Sequence, residues 1–154
     1  MEHTPSEHLL DEIELESARL VRNFELMRRR TDSYEELDRS EYLLLRTLDE
    51  TGPADINTLA AVLGLDPSTA GRQVATMRKA GLIECEPATD DRRRSIITPT
   101  EQGRDEARSV RLHRHRNLDE LFAEWSEDEL RTLGTMVSRY NRAIRERFGD
   151  ERRN

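Results

Sequence analysis

The fold is set by residues 64–98, which read GLDPSTAGRQVATMRKAGLIECEPATDDRRRSIIT. Within this stretch Asp66 and Pro67 predict the start of a helix, because an Asp side chain caps free backbone N–H groups and Pro suits the first helical position. Gly64 predicts the end of a shorter helix just before it, and Gly81 predicts the end of the helix itself. Two helices separated by a Gly-Leu-Asp turn form the layout of a helix-turn-helix.

A β-hairpin is predicted directly after the second of these helices. Residues 82–86 alternate between apolar and polar side chains roughly as a strand does, and residues 94–98 form a second run of this kind. The residues between them, 87–93, are polar and favour turns. A hairpin with a charged tip in this position is a wing.

The second helix of the pair has two different sides. On a helix with about 100° per residue, Ala70, Val74 and Met77 share one side, which is predicted to be buried. The opposite side and its flank carry donors and cations but no carboxylate, in Ser68, Thr69, Arg72, Gln73, Thr76 and Lys79. A surface that contacts phosphates and base edges needs this chemistry. The alternative is an ordinary solvated face that lacks acids by chance.

The tip of the predicted wing carries three successive arginines. Arg92, Arg93 and Arg94 follow Asp90 and Asp91. An Asp two residues before an Arg can hold the guanidinium in one orientation, so that less entropy is lost when it enters a narrow minor groove. The sequence therefore predicts a DNA contact by Asp91 and the three arginines; the alternative is a solvated run of charges.

Long helices are predicted on both sides of this region. The first runs from about residue 6 to residue 30, and the last begins at Ser126 and ends at Gly149. Each carries a row of apolar side chains, namely Leu9, Ile13, Leu20, Phe24 and Met27 in the first and Leu130, Leu133, Val137, Tyr140, Ile144 and Phe148 in the last. A helical chain with only 34% hydrophobic residues often completes its core against a second copy of itself. The two rows therefore predict a dimer.

Capping signals predict the remaining boundaries. Asp38 and Glu41 form a capping box for a second helix, which Gly52 ends. A short helix is expected after Asn57. Residues 98–101 read TPTE and predict a further capping box, with Pro at the first position of a long helix that ends near residue 122.

The net charge of −7 over 154 residues is concentrated at one end of the chain. Residues 1–50 carry 14 acidic and 7 basic side chains, whereas residues 67–94 carry 6 basic and 4 acidic ones. Because phosphate contacts depend on local charge, the helix-turn-helix region is compatible with DNA despite the acidic total.

Other classes of function have little support in the sequence. It has no glycine-rich phosphate loop and no nucleophile elbow, so neither an enzyme nor a cofactor is predicted. His113 and His115 point about 200° apart on a helix, so no metal site is predicted. Cys85, the only cysteine, is expected to be a half-buried strand thiol, with a redox switch as the alternative. Without a long apolar run or signal peptide, the protein is expected in the cytoplasm and off the membrane.

Taken in order, the motifs resemble the MarR-type (multiple-antibiotic-resistance regulator) family of bacterial transcription factors. The resemblance covers nearly the whole chain. It is carried by residues 65–69 (LDPST), 77–83 (MRKAGLI), 91–93 (DRR) and 97–103 (ITPTEQG). The resemblance implies a mainly α fold with a small β-hairpin wing. It places a winged helix-turn-helix DNA-binding lobe at residues 36–99 and dimerisation helices at residues 1–35 and 100–150.

The resemblance also implies a function. The protein would be a homodimeric repressor that binds a pseudo-palindromic operator in double-stranded DNA, with the recognition helix in the major groove and the wing in the minor groove. Carried over, Ser68, Thr69, Arg72 and Gln73 match recognition-helix positions, and Asp91 and Arg93 match the wing pair. The rival function is a helical dimer of the same fold that acts as a protein-interaction module without DNA binding.

The resemblance further implies a small-molecule effector, such as an aromatic anion, bound near the first, second and fifth helices. Phe24, Arg28 and Tyr42 lie there in the sequence, and ordinary packing or surface exposure is the alternative for all three. Gly71 departs from the family, where a larger residue is common at this position. Cys85 departs too, since oxidant-sensing relatives carry their cysteine in the first helix.

Overall fold

The computed structural model describes residues 6–31 and 37–149 of the chain. These ranges contain six helices and one antiparallel sheet of three strands. The helices are α1 (Glu7–Thr31), α2 (Arg39–Thr51), α3 (Ile56–Leu63), α4 (Pro67–Lys79), α5 (Glu101–Leu121) and α6 (Glu127–Phe148). The strands are β1 (Ala54–Asp55), β2 (Ile83–Pro87) and β3 (Ser95–Pro99). The predicted mainly α fold with a hairpin after the helix-turn-helix is confirmed.

The chain divides into two units between residues 36 and 37. The first unit contains α1, which begins and ends one residue later than predicted and buries none of its side chains. The second unit contains α2 to α6 and the sheet. The predicted boundary at residues 35 and 36 lies outside the described residues.

The core of the second unit is formed by α2, α3, α4, α5 and the sheet. Its buried apolar side chains include Leu44, Leu45, Leu48, Leu59, Val74, Met77, Leu82, Ile83, Ile97 and Val110. The predicted buried side of α4 is confirmed, since Ala70, Val74 and Met77 are at most 4% exposed. Burial of each large apolar side chain contributes about 1.5–3 kcal/mol, and this anchors α4 with its other side outward.

Side-chain caps start α2 and α3. In α2 the predicted capping box is present: the Glu41 N–H donates to Asp38 Oδ1 at 2.8 Å, and the Asp38 N–H donates to Glu41 Oε2 at 3.0 Å. The start of α3 was expected after Asn57, and this is wrong. Asp55 caps the helix instead, accepting the Thr58 N–H at 2.8 Å, because it is the Asp that lies three residues before a free backbone donor.

The predicted start of α5 is also wrong by two residues. Thr100, rather than Thr98, is the cap, and its Oγ1 accepts the Gly103 N–H at 3.0 Å. Pro99 is the last residue of β3 and pairs with Ile83. The strand therefore extends through the position that the local pattern assigned to the first helical turn.

The turn between α3 and α4 has the predicted form. Gly64 ends α3 in the left-handed region with φ of 67°, which glycine adopts without a steric penalty. The Leu65 N–H then donates to the Ala60 carbonyl at 2.9 Å. Asp66 starts α4 immediately afterwards with Pro67 as its first residue, so a short turn joins the two helices of the helix-turn-helix.

The sheet has the order β1-β3-β2. Strands β2 and β3 form the predicted hairpin, each one residue later than expected, with Ile83 opposite Pro99. Strand β1 was not predicted, because two residues are too few to produce an alternating pattern. It pairs with β3 through Asp55 opposite Ile96, and this pairing brings the start of α3 next to the wing.

Candidate nucleic-acid interface

A single carboxylate organises the first turn of α4. Asp66 Oδ1 accepts the Thr69 backbone N–H at 2.9 Å, and Asp66 Oδ2 accepts the Thr69 hydroxyl at 2.8 Å. The Ser68 hydroxyl also donates to Asp66. Both hydroxyls therefore have a fixed direction, and each oxygen can still accept a hydrogen bond from another donor.

The outward side of α4 carries the six residues predicted from the sequence, and we call it the recognition face. It consists of Ser68, Thr69, Arg72, Gln73, Thr76 and Lys79. Thr69 and Gln73 are partly buried and the other four are exposed. None of the six is acidic. The nearest carboxylate in the sequence, that of Asp66, is bonded to hydroxyl and backbone donors of the helix itself.

Arg72 is a cation of the recognition face that is held by a neighbouring hydroxyl. Its Nη2 donates to Thr69 Oγ1 at 3.1 Å. A guanidinium has five N–H donors in a planar fork, so most of them remain available to a ligand. The Thr76 hydroxyl, in contrast, uses its proton within the helix, since it donates to the Arg72 carbonyl at 3.0 Å.

The loop at the tip of the wing is ordered by its own backbone. The Ala88 N–H donates to the Arg94 carbonyl at 2.9 Å, and the Arg94 N–H donates to the Asp91 carbonyl at 3.0 Å. Ala88 is 5% exposed, which places it on the inside of the loop. The tip is therefore a closed turn that presents Arg92 and Arg93 on its exposed side.

Asp91 has a different role from the predicted one. Its Oδ1 accepts the backbone N–H of Arg93 at 3.0 Å, whereas the sequence suggested that it would orient the Arg93 guanidinium. This is the ordinary preference of an Asp side chain for a backbone donor two residues ahead. Asp91 thus shapes the turn that carries Arg93.

The three wing arginines are not equivalent. Arg94 Nε donates to Asp55 Oδ2 at 3.1 Å, and Arg94 Nη1 donates to Asp90 Oδ2 at 3.0 Å. Within the part of the chain that the structure describes, no hydrogen bond or ion pair reaches the guanidinium of Arg92 or Arg93. The structure thus separates one arginine bound to two carboxylates from two that are free to meet an external anion.

The carboxyl group of Asp55 is stabilised in its charged form. The pKa of Asp55 is lowered most by the hydrogen bond from the Thr58 backbone N–H and next by the Thr58 side chain. The charge and hydrogen bond of Arg94 lower it further. Partial burial opposes these effects by raising the same pKa. The net direction is downward, so Asp55 is ionised and can hold Arg94 at neutral pH.

Sequence reasoning missed Asp55 altogether. Its capping role had a local signal, because Asp is a favoured N-cap residue and Asp55 directly precedes the short helical run. Its bond to Arg94 had no such signal, since the two residues are 39 positions apart. Only the pairing of β1 with β3 brings them together.

The structure also locates two further residues that the sequence analysis considered, Tyr42 and Cys85. Tyr42 lies beneath Arg114, with the guanidinium carbon 4.2 Å from the ring centroid. Cys85 is a partly buried free thiol on β2. Residues 6–31 and 37–149 contain no group of three or more His, Cys, Asp or Glu side chains that could hold a metal ion. In the same ranges no helix is both long and apolar enough to cross a lipid bilayer.

Comparison with known proteins gives a consistent picture. The model of the MarR family matches residues 37–95. An uncharacterised HTH-type transcriptional regulator, YxaD of Bacillus subtilis, is 37% identical over 108 residues. That alignment covers 70% of this chain and 76% of YxaD.

Solved structures share the fold at lower identity. A MarR family protein from Bacillus stearothermophilus superimposes with a TM-score of 0.76 at 18% identity, over 92% of this chain and 99% of that one. The PcaV transcriptional regulator of Streptomyces coelicolor, solved with its natural ligand, gives a TM-score of 0.68 at 24% identity, over 83% and 90% of the two chains.

Proposed function

Because the chain belongs to the MarR family of transcriptional regulators, we propose that it binds a pseudo-palindromic operator as a homodimer and represses transcription there. The observation that carries the proposal is the recognition face of α4, which is polar and cationic, lacks carboxylates and is anchored from behind by Ala70, Val74 and Met77. Binding to a chromosomal operator would place the protein in the cytoplasm.

The recognition face suits the major groove. Arg72 can donate two bonds to the O6 and N7 atoms of a guanine, and Gln73 can bond an adenine edge. Ser68, Thr69 and Lys79 suit phosphates or base edges. A bond to Thr69 supports the Arg72 guanidinium at the N-terminal end of α4, where the helix dipole also favours an anion.

The wing suits the minor groove beside the same half-site. Arg92 and Arg93 stand on the exposed side of the tip, and no bond from a described residue reaches either guanidinium. A narrow minor groove attracts such side chains. Arg94 was also predicted to contact DNA. Its two bonds to Asp55 and Asp90 favour a structural role instead, so we leave it out of the proposed contact set.

Dimerisation is supported by exposed apolar side chains on α1 of the first unit and, separately, on α6 of the second unit. On α1 the exposed side chains include Leu9 at 52%, Ile13 at 53% and Leu20 at 49%. On α6 they include Val137 at 45% and Tyr140 at 50%. Amphipathic helices of this kind are stable when another surface covers the apolar row. A second copy would do so and would supply the second reading head of a pseudo-palindromic site.

We further propose that an anionic small molecule controls repression by binding to the second unit. A cavity of about 110 Å³ lies between α2 and α5. Its lining residues are Leu45, Arg46, Asp49, Pro99, Arg104, Ala107, Arg108 and Arg111. Among these, Arg46 pairs with Asp49 and Glu50, and Arg108 pairs with Asp105. Arg104 and Arg111 add two further cations beside apolar side chains, which suits a small aromatic carboxylate. PcaV, which shares the fold, has a natural ligand.

A melting experiment tests the effector proposal with matched probes. Benzoate and its neutral analogue benzamide have nearly the same shape, so only benzoate is expected to raise the melting temperature, and Arg111→Gln should reduce the effect. Equal shifts with both probes, or none with benzoate, would count against an anion site at this cavity.

The DNA-binding proposal is tested with a mobility-shift assay. The probe is the promoter region beside the gene of this protein, followed by selection from a random-sequence pool. Salt-sensitive binding is expected, because phosphate contacts release counterions. Arg72→Ala should weaken binding and relax sequence preference at one base position, whereas the control Arg131→Ala removes an exposed arginine of α6 and should leave DNA binding unchanged. If neither DNA source is bound, the protein-interaction module becomes the better explanation.

A further inference from the structure

Asp55 uses its two carboxylate oxygens for two different parts of the lobe. Oδ1 accepts the Thr58 N–H at 2.8 Å and so caps α3, the first helix of the helix-turn-helix. Oδ2 accepts Arg94 Nε at 3.1 Å at the base of the wing tip. One side chain is therefore bonded at once to the helix pair and to the wing.

The sheet explains why these residues meet. Asp55 on β1 lies opposite Ile96 on β3, and Arg94 precedes Ile96 by two residues. Arg94 lies one residue before β3 begins, so it stands diagonally opposite Asp55 at the end of the β1–β3 pairing. The Asp55 side chain is 19% exposed and that of Arg94 is 45% exposed, so the pair is partly shielded from solvent.

The side chain and both backbone polar groups of Arg94 are hydrogen-bonded at the base of the wing tip. Its guanidinium bonds Asp55 and Asp90, its N–H bonds the Asp91 carbonyl, and its own carbonyl accepts the Ala88 N–H. A two-stranded hairpin by itself is only marginally stable in water, and β1 adds only two residue pairs to this one. The Asp55–Arg94 pair adds a side-chain link between β1 and the loop at the tip of the wing.

We propose that Asp55 and Arg94 are positioning residues for DNA binding, which fix the wing relative to the helix-turn-helix so that Arg93 and the recognition face reach the same half-site together. This inference rests on the proposed DNA-binding function. Arg94 does not bind phosphate in this arrangement. Its bonds instead fix the position of the tip that carries its two neighbours, Arg92 and Arg93.

The sign of one mutational effect tests the proposal. Asp55 is negatively charged and lies in the lobe that is proposed to bind DNA, so its charge repels the phosphates. If this repulsion were its only effect, removing the charge would strengthen DNA binding. If Asp55 positions the wing, removing its charge weakens DNA binding. Asp55→Asn keeps the cap of α3, because Asn is as good an N-cap as Asp, and loses only the ion pair to Arg94.

The experiment measures operator affinity over a range of salt concentrations. Asp55→Asn is expected to weaken binding by about tenfold for the two half-sites together, with an unchanged slope of log K against log salt. The matched control is Asp128→Asn, which removes a carboxylate that is paired with Arg131 at 3.1 Å on α6. It should leave affinity unchanged. Unchanged or tighter binding by Asp55→Asn overturns the proposal.

Arg94 is tested in the same way against Arg93. Arg93→Gln should reduce the salt slope by about 0.9 for each phosphate that the side chain no longer neutralises, whereas Arg94→Gln should lower affinity at constant slope. An equal reduction of the slope in both variants means that Arg94 contacts phosphate, and the proposal is then wrong.

A readout without DNA separates this inference from the proposed function. In the free protein, Asp55→Asn should speed hydrogen exchange of the Ala88 and Arg94 amides, because the tip loses its link to β1, while the amides of α4 keep wild-type rates. Unchanged exchange at both amides would refute the link. If wild-type protein binds no DNA, the proposed function fails, and with it any role of the link in DNA binding.

Discussion

Arg72 and Thr69 are joined on the recognition face by a hydrogen bond of 3.1 Å from Arg72 Nη2 to Thr69 Oγ1. The Thr69 hydroxyl donates in turn to Asp66 at 2.8 Å. A chain of two bonds thus connects the helix cap to the guanidinium. An arginine restrained in this way loses less side-chain entropy when it meets a base edge.

The first prediction follows from this relationship. Arg72→Ala should cost about 1–3 kcal/mol per half-site and relax specificity at a single base position. Titration of a labelled operator and of its single-base variants measures both effects. Thr69→Ser keeps the hydroxyl and serves as the control. If Arg72→Ala weakens all DNA sequences equally, Arg72 contacts the backbone and not a base.

The wing tip gives the second prediction. Arg93→Ala should weaken operator binding and leave the free energy of unfolding within about 0.5 kcal/mol of wild type, because no bond within the described residues involves its guanidinium. Urea unfolding and operator titration check the two halves separately. Wild-type affinity in this variant would remove the wing tip from the DNA contact.

Two glycines provide a paired stability prediction. A Cβ on Gly103 would overlap the backbone carbonyl of Leu82, so Gly103→Ala should destabilise the fold by roughly 1–3 kcal/mol or more. A Cβ on Gly71 meets nothing within 4 Å, so Gly71→Ala should stabilise α4 by about 1 kcal/mol. Denaturant unfolding at a fixed protein concentration compares them, and equal effects of the two changes would contradict the close approach of α5 to Leu82.

Acid sensitivity gives the fourth prediction. Bonds from Thr58 and the nearby Arg94 hold the pKa of Asp55 below its ordinary value of 3.8. A carboxyl with a lower pKa in the folded state stabilises the fold above the unfolded-state pKa, and this stabilisation is lost as pH falls through the folded-state pKa. The difference in unfolding free energy between wild type and Asp55→Asn should therefore be constant near neutrality and shrink below about pH 4.

This pH dependence is read from denaturant unfolding of the two proteins at the same concentration. Every other acid is common to both, so their difference isolates Asp55; Asp90 faces the other side of Arg94 and is present in each. A difference that grows on acidification would reverse the sign and contradict the bonds assigned to Asp55.

The dimer gives the fifth prediction. Val137 is 45% exposed in the single chain, and Val137→Glu would place a charge within the apolar row of α6. Sedimentation at micromolar concentration should show a dimer for wild type and a loss of dimer for this variant. The control Arg131→Glu changes a side chain that is 72% exposed and should remain dimeric. A folded wild-type monomer would refute the proposed assembly.

Local signals were sufficient for most of the secondary structure. Asp38, Asp66 and Ser126 cap helices as predicted, since a cap is a contact between residues three positions apart. The errors lie where a strand competed with a cap. Thr98 and Pro99 have the pattern of a helix start, but pairing with β2 keeps them in the sheet and moves the cap to Thr100.

The recognition face could also be read from the sequence. A helix of known start and period fixes which residues share a side, so the burial of Ala70, Val74 and Met77 placed the polar residues outward. The wing was less accessible to such reasoning. The presence of Arg92, Arg93 and Arg94 at a hairpin tip was predictable, but the difference between them was not.

The helices, the turn between α3 and α4, the hairpin and the family could therefore be inferred from the amino-acid order alone, because each depends on neighbours in the chain. Folding in three dimensions was needed to show that Arg94 bonds Asp55 while no residue of 6–31 or 37–149 bonds the Arg93 guanidinium. That outcome depends on a two-residue strand pairing between segments 39 positions apart. No periodicity or spacing records such a contact, since it exists only after the backbone of β1 has bonded to β3.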